Sequence, residues 1–383
     1  MLDKKFFLAL AVLMGTIIGA GIFGLPFAIS KSGIIPGLFY LFILGFAVLF
    51  LHMMFGEAVL RTEGKMRLSG YSQKYLGKKG KLVVTISTII GITGSLLAYI
   101  ILGGNFLRMI YSSVPNVPNL SSFSFSLIFW AILAFFVFKG IKVIAPAAVF
   151  TNIAFFIIIF IVISFLLPKF SINNFDPINS ENIFLPYGII MFSLTGFAAI
   201  PEITDILKTS DERKKLKTVI IVSSFISIIL YLLFSLGVVG VSNGSTSKDA
   251  LSGLVPFLGQ KIIILGALFG VIAIADSFLI ICLYFKNTLI YDYGFSKISA
   301  SSVAAFLPLL LFLKFRDFTQ VVGFAGTILG TIEGIIILLI FKKAKELGDR
   351  KPEYSLNVSN FLIYSLILLL VLGGFFQLVY YHS

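Results

Sequence analysis

Eleven stretches of about twenty mostly apolar residues follow one another along the chain, each long enough to cross ~30 Å of hydrocarbon as an α-helix. Their approximate limits are 5–30, 35–60, 82–111, 123–139, 143–167, 182–207, 216–241, 260–285, 298–314, 318–341 and 357–381. Backbone N–H and C=O groups in hydrocarbon must find partners within the protein, and a single segment of this length does so only as a helix. Composition agrees: 58% of the 383 residues are apolar and 12% are charged, against a charged share of about 25% in soluble domains. An all-α polytopic membrane protein is therefore expected. Soluble enzymes, secreted scaffolds and nucleic-acid binders are excluded.

The net charge of +13 reads as topology, because cytoplasmic loops retain Lys and Arg. With the amino terminus inside, that side receives Lys4 and Lys5, the run from Arg61 to Lys81, Lys139 and Lys142, Lys208 to Lys217, Lys286 and Lys297, and Lys342 to Lys351. Only Lys31, Arg108, Lys169, Lys248, Lys261, Lys314 and Arg316 fall outside. The amino terminus is expected in the cytoplasm and the carboxyl terminus outside, in the plasma membrane. The first apolar segment continues past Pro26 without a clean small-residue cleavage pattern, so it reads as a retained span. A single cysteine, Cys282, excludes an internal disulfide, and His52 and His382 are not spaced as metal ligands. The connections are short, and only 62–81 and 168–181 have room for a surface helix or a lid.

Two spans carry the same punctuation. The first contains Ala20-Gly21-Ile22-Phe23-Gly24-Leu25-Pro26 and the sixth contains Thr195-Gly196-Phe197-Ala198-Ala199-Ile200-Pro201. Five spans separate the copies, an odd number, so the two segments run in opposite directions across the bilayer. The chain then divides into a five-helix repeat (1–170), its inverted copy (171–345) and an appended eleventh helix (346–383). Gly and Pro interrupt the helical ladder, and irregular backbone at membrane depth is tolerated only where protein or a cavity surrounds it. The expected half-helices are 6–18 with 24–30, and 182–194 with 201–207. Free N–H groups near Gly24 and free carbonyls near Ile18 and Leu194 would meet at one depth. An amino acid zwitterion satisfies both.

The segment from Gly15 to Pro26, Gly15-Thr16-Ile17-Ile18-Gly19-Ala20-Gly21-Ile22-Phe23-Gly24-Leu25-Pro26, resembles the first-helix signature of the amino acid-polyamine-organocation superfamily. Within it the chain is most similar to the amino acid/auxin permease and aromatic amino acid permease branches. The resemblance implies a leucine-transporter-type fold working by alternating access, with discontinuous helices one and six. It also implies a carboxylate site at Gly19, Ala20 and Gly21. An ammonium site is implied at carbonyls near Ile18, Phe192, Ser193 and Thr195, with Gly196 in the same break. Ala273-Ile274-Ala275-Asp276-Ser277 resembles the helix-eight part of a cation site completed by Gly15 and Ile18. Asp276 departs from the hydroxyl residue usual in sodium-coupled relatives, which leaves a bound sodium ion or a proton as the coupling cation. No other cofactor is implied.

Carboxylates at membrane depth are costly and usually functional. Asp276 and Glu333 are coupling candidates, whereas Glu57 is expected to pair with Arg61 one turn on. Glu202 and Asp205 follow the second break and are expected to serve the helix dipole and to pair with Lys208. Tyr99, Phe192 and Phe197 are candidates for reading the substrate side chain, and Trp130 is expected to pack in helix four or to sit at a membrane interface. The partners expected are an amino acid, a coupling cation and the lipid bilayer. The chain reads as a secondary transporter importing amino acids by symport, with amino acid exchange or polyamine uptake as the alternative. A channel has no need of two opposed broken helices, and neither an enzymatic dyad nor a P-loop is visible.

Overall fold

The computed structural model describes residues 4–139, 144–242 and 244–382; Lys142, counted above among the basic residues, lies outside them. The described elements are helices and turns, without strands. In chain order the helices are α1 (Lys4–Ile17), α2 (Gly21–Ser32), α3 (Ile34–Leu60), α4 (Leu68–Tyr111), α5 (Ser122–Lys139), α6 (Ile144–Leu166), α7 (Leu185–Leu194) and α8 (Ala199–Ile206). There follow α9 (Ser210–Arg213), α10 (Leu216–Ser242), α11 (Val255–Leu258), α12 (Gln260–Tyr293), α13 (Lys297–Phe312), α14 (Phe318–Ile328), α15 (Gly334–Leu347) and α16 (Asn360–His382). A π-helical turn, Leu329–Glu333, joins α14 to α15.

Among the described residues, eight spans pass the length and hydropathy needed to cross a bilayer, with α7 and α8 counted together. The pair α1 and α2, bent by 48°, makes a ninth, and the shorter apolar helices at 154–169 and 297–312 fall on the two remaining predicted segments. Two boundaries differ from the sequence reading. Helix α12 continues to Tyr293, because its polar last turns still find partners inside the protein. Stretch 62–81 is largely helical, the early part of α4 bending into the span at Gly77, whose φ of 74° suits only a residue without a Cβ. Stretch 168–181 forms short 3-10 turns.

Contacts between loops define two faces. On the first, Lys5 at the start of α1 reaches Glu212 of α9 at 2.6 Å, and the N–H groups of Asp349 and Arg350 donate to the Arg61 carbonyl. There Lys74 hydrogen-bonds Asp349 and holds its carboxyl below the usual range. On the opposite face Asn179 N–H donates to Ser32 O at 2.8 Å, Ser171 N–H to Gly240 O at 2.9 Å, and Tyr380 Oη to Asn182 Oδ1 at 2.7 Å. Helix α1 therefore starts at one face and α7 at the other, so the two interrupted helices are antiparallel.

Helices α7 and α14 cross at backbone contact. A Cβ built on Gly326 would lie 1.9 Å from Gly188 O, and one on Gly188 would lie 2.2 Å from Gly323 O. Small residues at such crossings let helices pack without a hydrophobic driving force. Gly326→Val is expected to cost at least ~3 kcal/mol, since backbone cannot yield as a core side chain can. Thermal unfolding of the detergent-purified variant checks this; an unchanged unfolding temperature contradicts the crossing. Glu57 pairs with Arg61 at 2.8 Å as expected, and its carboxylate also accepts from Ser355 Oγ and Leu356 N–H, tying α3 to the segment before α16. Trp130 packs edge-on against Phe306 and donates from Nε1 to Ala305 O at 2.8 Å.

Candidate functional site

The first break is short. Helix α1 ends at Ile17, residues 18–20 are irregular, and α2 resumes at Gly21 rather than at Gly24. Pro26 thus lies in the second turn of α2, where its missing N–H removes one ladder bond without setting the helix start. Phe23 N–H turns back to Ala20 O at 3.1 Å, while the N–H groups of Ala20, Gly21 and Ile22 find no acceptor among the described residues. They form the positive end of α2. The second break, 195–198, lies between α7 and α8, which begins at Ala199 rather than Pro201. Ala20 and Ala198 both fall within breaks.

Carbonyls of the second break are divided between used and open ones. Phe192 O accepts from Thr195 Oγ1 at 3.2 Å, and Ser193 O accepts from Tyr231 Oη at 2.7 Å. Among the described residues nothing donates to Leu194 O or Thr195 O, nor to Ile18 O in the first break. The carbonyls without a donor are therefore those of Ile18, Leu194 and Thr195, while those of Phe192 and Ser193, expected to serve an ammonium, each accept one hydrogen bond and keep a second lone pair. Tyr231, in α10, also donates to Ile17 O at 2.8 Å, so one hydroxyl ties both breaks together. Gly196 N–H, freed from the helical ladder, donates to His52 Nε2 of α3 at 3.1 Å.

A cavity of about 530 Å³ runs past both breaks, a size typical of small-molecule sites. Gly15, Gly19, Gly21, Tyr99, Phe192, Thr195, Gly196, Phe197, Asp276 and Glu333 line it, which gathers most of the predicted site residues. Ile18, Ala20, Ser193, Ala273 and Ser277 do not line it; Ser193 Oγ donates to Ile189 O. Ser277 nevertheless stays close: a Cβ on Gly19 would meet Tyr99 Oη at 3.1 Å and Ser277 Oγ at 3.6 Å. On Gly21 it would instead meet Ser193 Cα at 2.7 Å, so Gly21 serves the contact of α2 with α7 more than it leaves room for a ligand.

The wall continues through Ala11, Val12 and Thr16 of α1, Leu68 and Thr88 of α4, Glu202, Asp205 and Ile206 of α8, and Tyr284 and Asn287 of α12. All of these lie toward the face that carries the amino terminus, and the cavity opens there. Toward the opposite face it ends at the breaks, where Phe23 meets Phe106 and Phe234 edge-on, with centroids 4.9 and 6.1 Å apart. Beyond these rings Lys248 pairs with Asp317 and lies 6.0 Å from the Phe27 ring.

The carboxylates are placed as follows. Glu333 is presented by the π-helical turn and accepts from Thr88 Oγ1 at 2.7 Å, and it lines the same cavity as Asp276 of α12. Glu202 and Asp205 do not pair with Lys208. Arg67 reaches Glu202 at 2.6 Å, and Lys65 and Arg67 reach Asp205 at 3.5 and 4.0 Å. The loop after α3 folds beneath α8, a tertiary juxtaposition that outcompetes the sequence neighbour. Tyr231 and Thr88 carried no sequence signal. His52 does stand out, as one of two histidines, but the roles its rarity suggests, a metal ligand or a hydrolase triad member, are not that of an acceptor for Gly196 N–H.

Comparison with known proteins agrees with this geometry. A sequence profile of the tryptophan/tyrosine permease family matches residues 2–377. The chain is 25% identical to glutamine transporter 2 of Aliivibrio fischeri over 95% of its own length and 94% of the relative's. It is 25% identical to the tryptophan-specific transport protein of Haemophilus influenzae (94% and 93% covered) and 25% identical to tyrosine-specific transport system 1 of the same organism (94% and 92%). Its fold matches the crystal structure of MhsT in complex with L-phenylalanine at a TM-score of 0.71, with 14% identity, covering 99% of this chain and 98% of the other. The fold is thus of the leucine-transporter type read from the sequence.

Proposed function

Because this chain belongs to the tryptophan/tyrosine permease family, a family of transport proteins rather than enzymes, we propose that it is a secondary transporter carrying a large neutral amino acid across a membrane by alternating access. The observation that carries the reading is the cavity at two antiparallel helix breaks, with unpaired N–H groups on one side and unpaired carbonyls on the other. A carboxylate belongs on Ala20, Gly21 and Ile22, beside Gly19, and an ammonium on the carbonyls of Ile18, Leu194 and Thr195. The side chain then lies among Tyr99, Phe192, Phe197, Ile92 and Ile280, a largely apolar wall suited to an aromatic group.

Coupling is assigned to a proton carried by Asp276 or Glu333, the two membrane-depth carboxylates of the wall. Sodium held by Gly15, Ile18, Ala273, Asp276 and Ser277 is the other assignment, and experiment separates the two. The basic residues favour a cytoplasmic amino terminus and an external carboxyl terminus in the plasma membrane, so the cavity would open inward. Residues 1–170 and 171–345 would act as inverted halves, with 346–383 appended.

The test is uptake into proteoliposomes of labelled L-tryptophan, L-tyrosine, L-phenylalanine and L-glutamine, under separately imposed proton and sodium gradients. Saturable accumulation of at least one aromatic amino acid that collapses with a protonophore is expected. Accumulation that follows sodium alone reassigns the ion, and uptake that requires internal amino acid makes the protein an exchanger. No uptake of any of the four overturns the substrate class.

A further inference from the structure

His52 is fully buried in α3, at the second break. Its Nε2 accepts from Gly196 N–H, and an accepting ring nitrogen carries no proton. The imidazole is therefore neutral, with its proton on Nδ1, and Nδ1 has no hydrogen-bond partner among the described residues. The neighbours on the side of the break are apolar: Phe197 stands edge-on with centroids 5.1 Å apart, and Leu13 and Ile17 of α1 close over Gly196. Such a pocket would suit a leucine or phenylalanine better, because a buried N–H without an acceptor is destabilising. What those side chains lack is an acceptor for Gly196.

That N–H matters because of what surrounds it. In a continuous helix it would donate to Phe192 O, the atom that Thr195 Oγ1 occupies here. If Gly196 N–H returned to Phe192 O, which has a second lone pair for it, Thr195 would exchange its extended ψ of 127° for a helical one and the helix would run on past Leu194. The Thr195 carbonyl would then turn along the helix axis and away from the cavity.

We propose that His52 is a positioning residue for the substrate site: by accepting from Gly196 N–H it holds the second break open and fixes the direction of the free Thr195 carbonyl. The inference rests on the reading of the breaks as the amino acid site. It assigns no contact between His52 and substrate; the residue acts through Gly196.

Two variants separate this role from packing. His52→Phe fills the pocket without an acceptor, and His52→Gln restores an acceptor in its amide oxygen. Hydrogen–deuterium exchange of peptides covering 192–200 is expected to change in His52→Phe and to match the parent protein in His52→Gln. In proteoliposome uptake of labelled L-tryptophan and L-tyrosine, His52→Phe is expected to raise KM about tenfold with maximal rate nearly unchanged, and His52→Gln to recover most of the affinity. An exchange profile and KM in His52→Phe equal to the parent's overturn the proposal, as does His52→Gln failing as badly as His52→Phe. Should His52→Phe not elute as a folded species, His52→Met takes its place with the same expectations. Gly19→Leu serves as the control for the underlying reading. If it leaves binding unchanged, the amino acid site is elsewhere; if it abolishes binding while His52→Phe behaves as the parent, only the role of His52 fails.

Discussion

Proteoliposomes containing Asp276→Asn are expected to lose gradient-driven accumulation, by about tenfold or more, while still exchanging internal for external amino acid. Asn has nearly the shape of Asp, so the cavity wall beside Gly15 and Gly19 keeps its form. What disappears is the capacity to bind a proton or to neutralise a cation, the function by which a carboxylate at this depth offsets its cost. A carrier without its coupling group can still reorient with substrate bound, and exchange reports that step alone. Glu333→Gln is the matched comparison, since Glu333 lines the same cavity and accepts from Thr88. Loss of accumulation in only one variant identifies which carboxylate serves coupling, and the proton and sodium gradients imposed separately identify the ion. Normal accumulation in Asp276→Asn removes Asp276 from the mechanism.

The broken helices were legible because Gly and Pro act locally: a missing Cβ loosens the backbone and a missing N–H removes one ladder bond, so a cluster of both marks where a helix is weakest. Where helix resumes was less legible. The sequence reading placed the restart at Gly24 on account of Pro26, whereas α2 accommodates Pro26 in its second turn and starts at Gly21. Asp276 and Glu333 stood out because a charge in an apolar run is conspicuous. Partners from distant segments did not stand out. Glu202 and Asp205 have Lys208 nearby in sequence, yet the loop after α3 brings Lys65 and Arg67 to them. Tyr231 is one aromatic among many in a helix, and only the fold places its hydroxyl between Ile17 O and Ser193 O. The same holds for Gly188 and Gly326, whose importance comes from a backbone crossing that neither segment signals alone.

Gly19→Leu is expected to abolish substrate binding, weakening it by about 100-fold or more, while leaving a folded protein. The distinction between Gly19 and Gly21 makes the experiment decisive. At Gly21 any side chain is driven against the Ser193 backbone, so a leucine there separates α2 from α7, and loss of transport would report damage to packing. At Gly19 the nearest atoms are the ends of two side chains, Tyr99 Oη and Ser277 Oγ, and the residue lies in an irregular stretch on the cavity wall. A leucine can be accommodated there only by entering the cavity at the level of the unpaired N–H groups. Occupying that volume removes the space for a carboxylate and leaves those groups without an anion, a combined steric and hydrogen-bond loss consistent with two decades of affinity. Equilibrium binding of labelled L-tryptophan and L-tyrosine to the purified variant, together with its thermal unfolding curve, checks both halves. Retained affinity in a normally folded Gly19→Leu protein would place the amino acid somewhere other than between the two breaks.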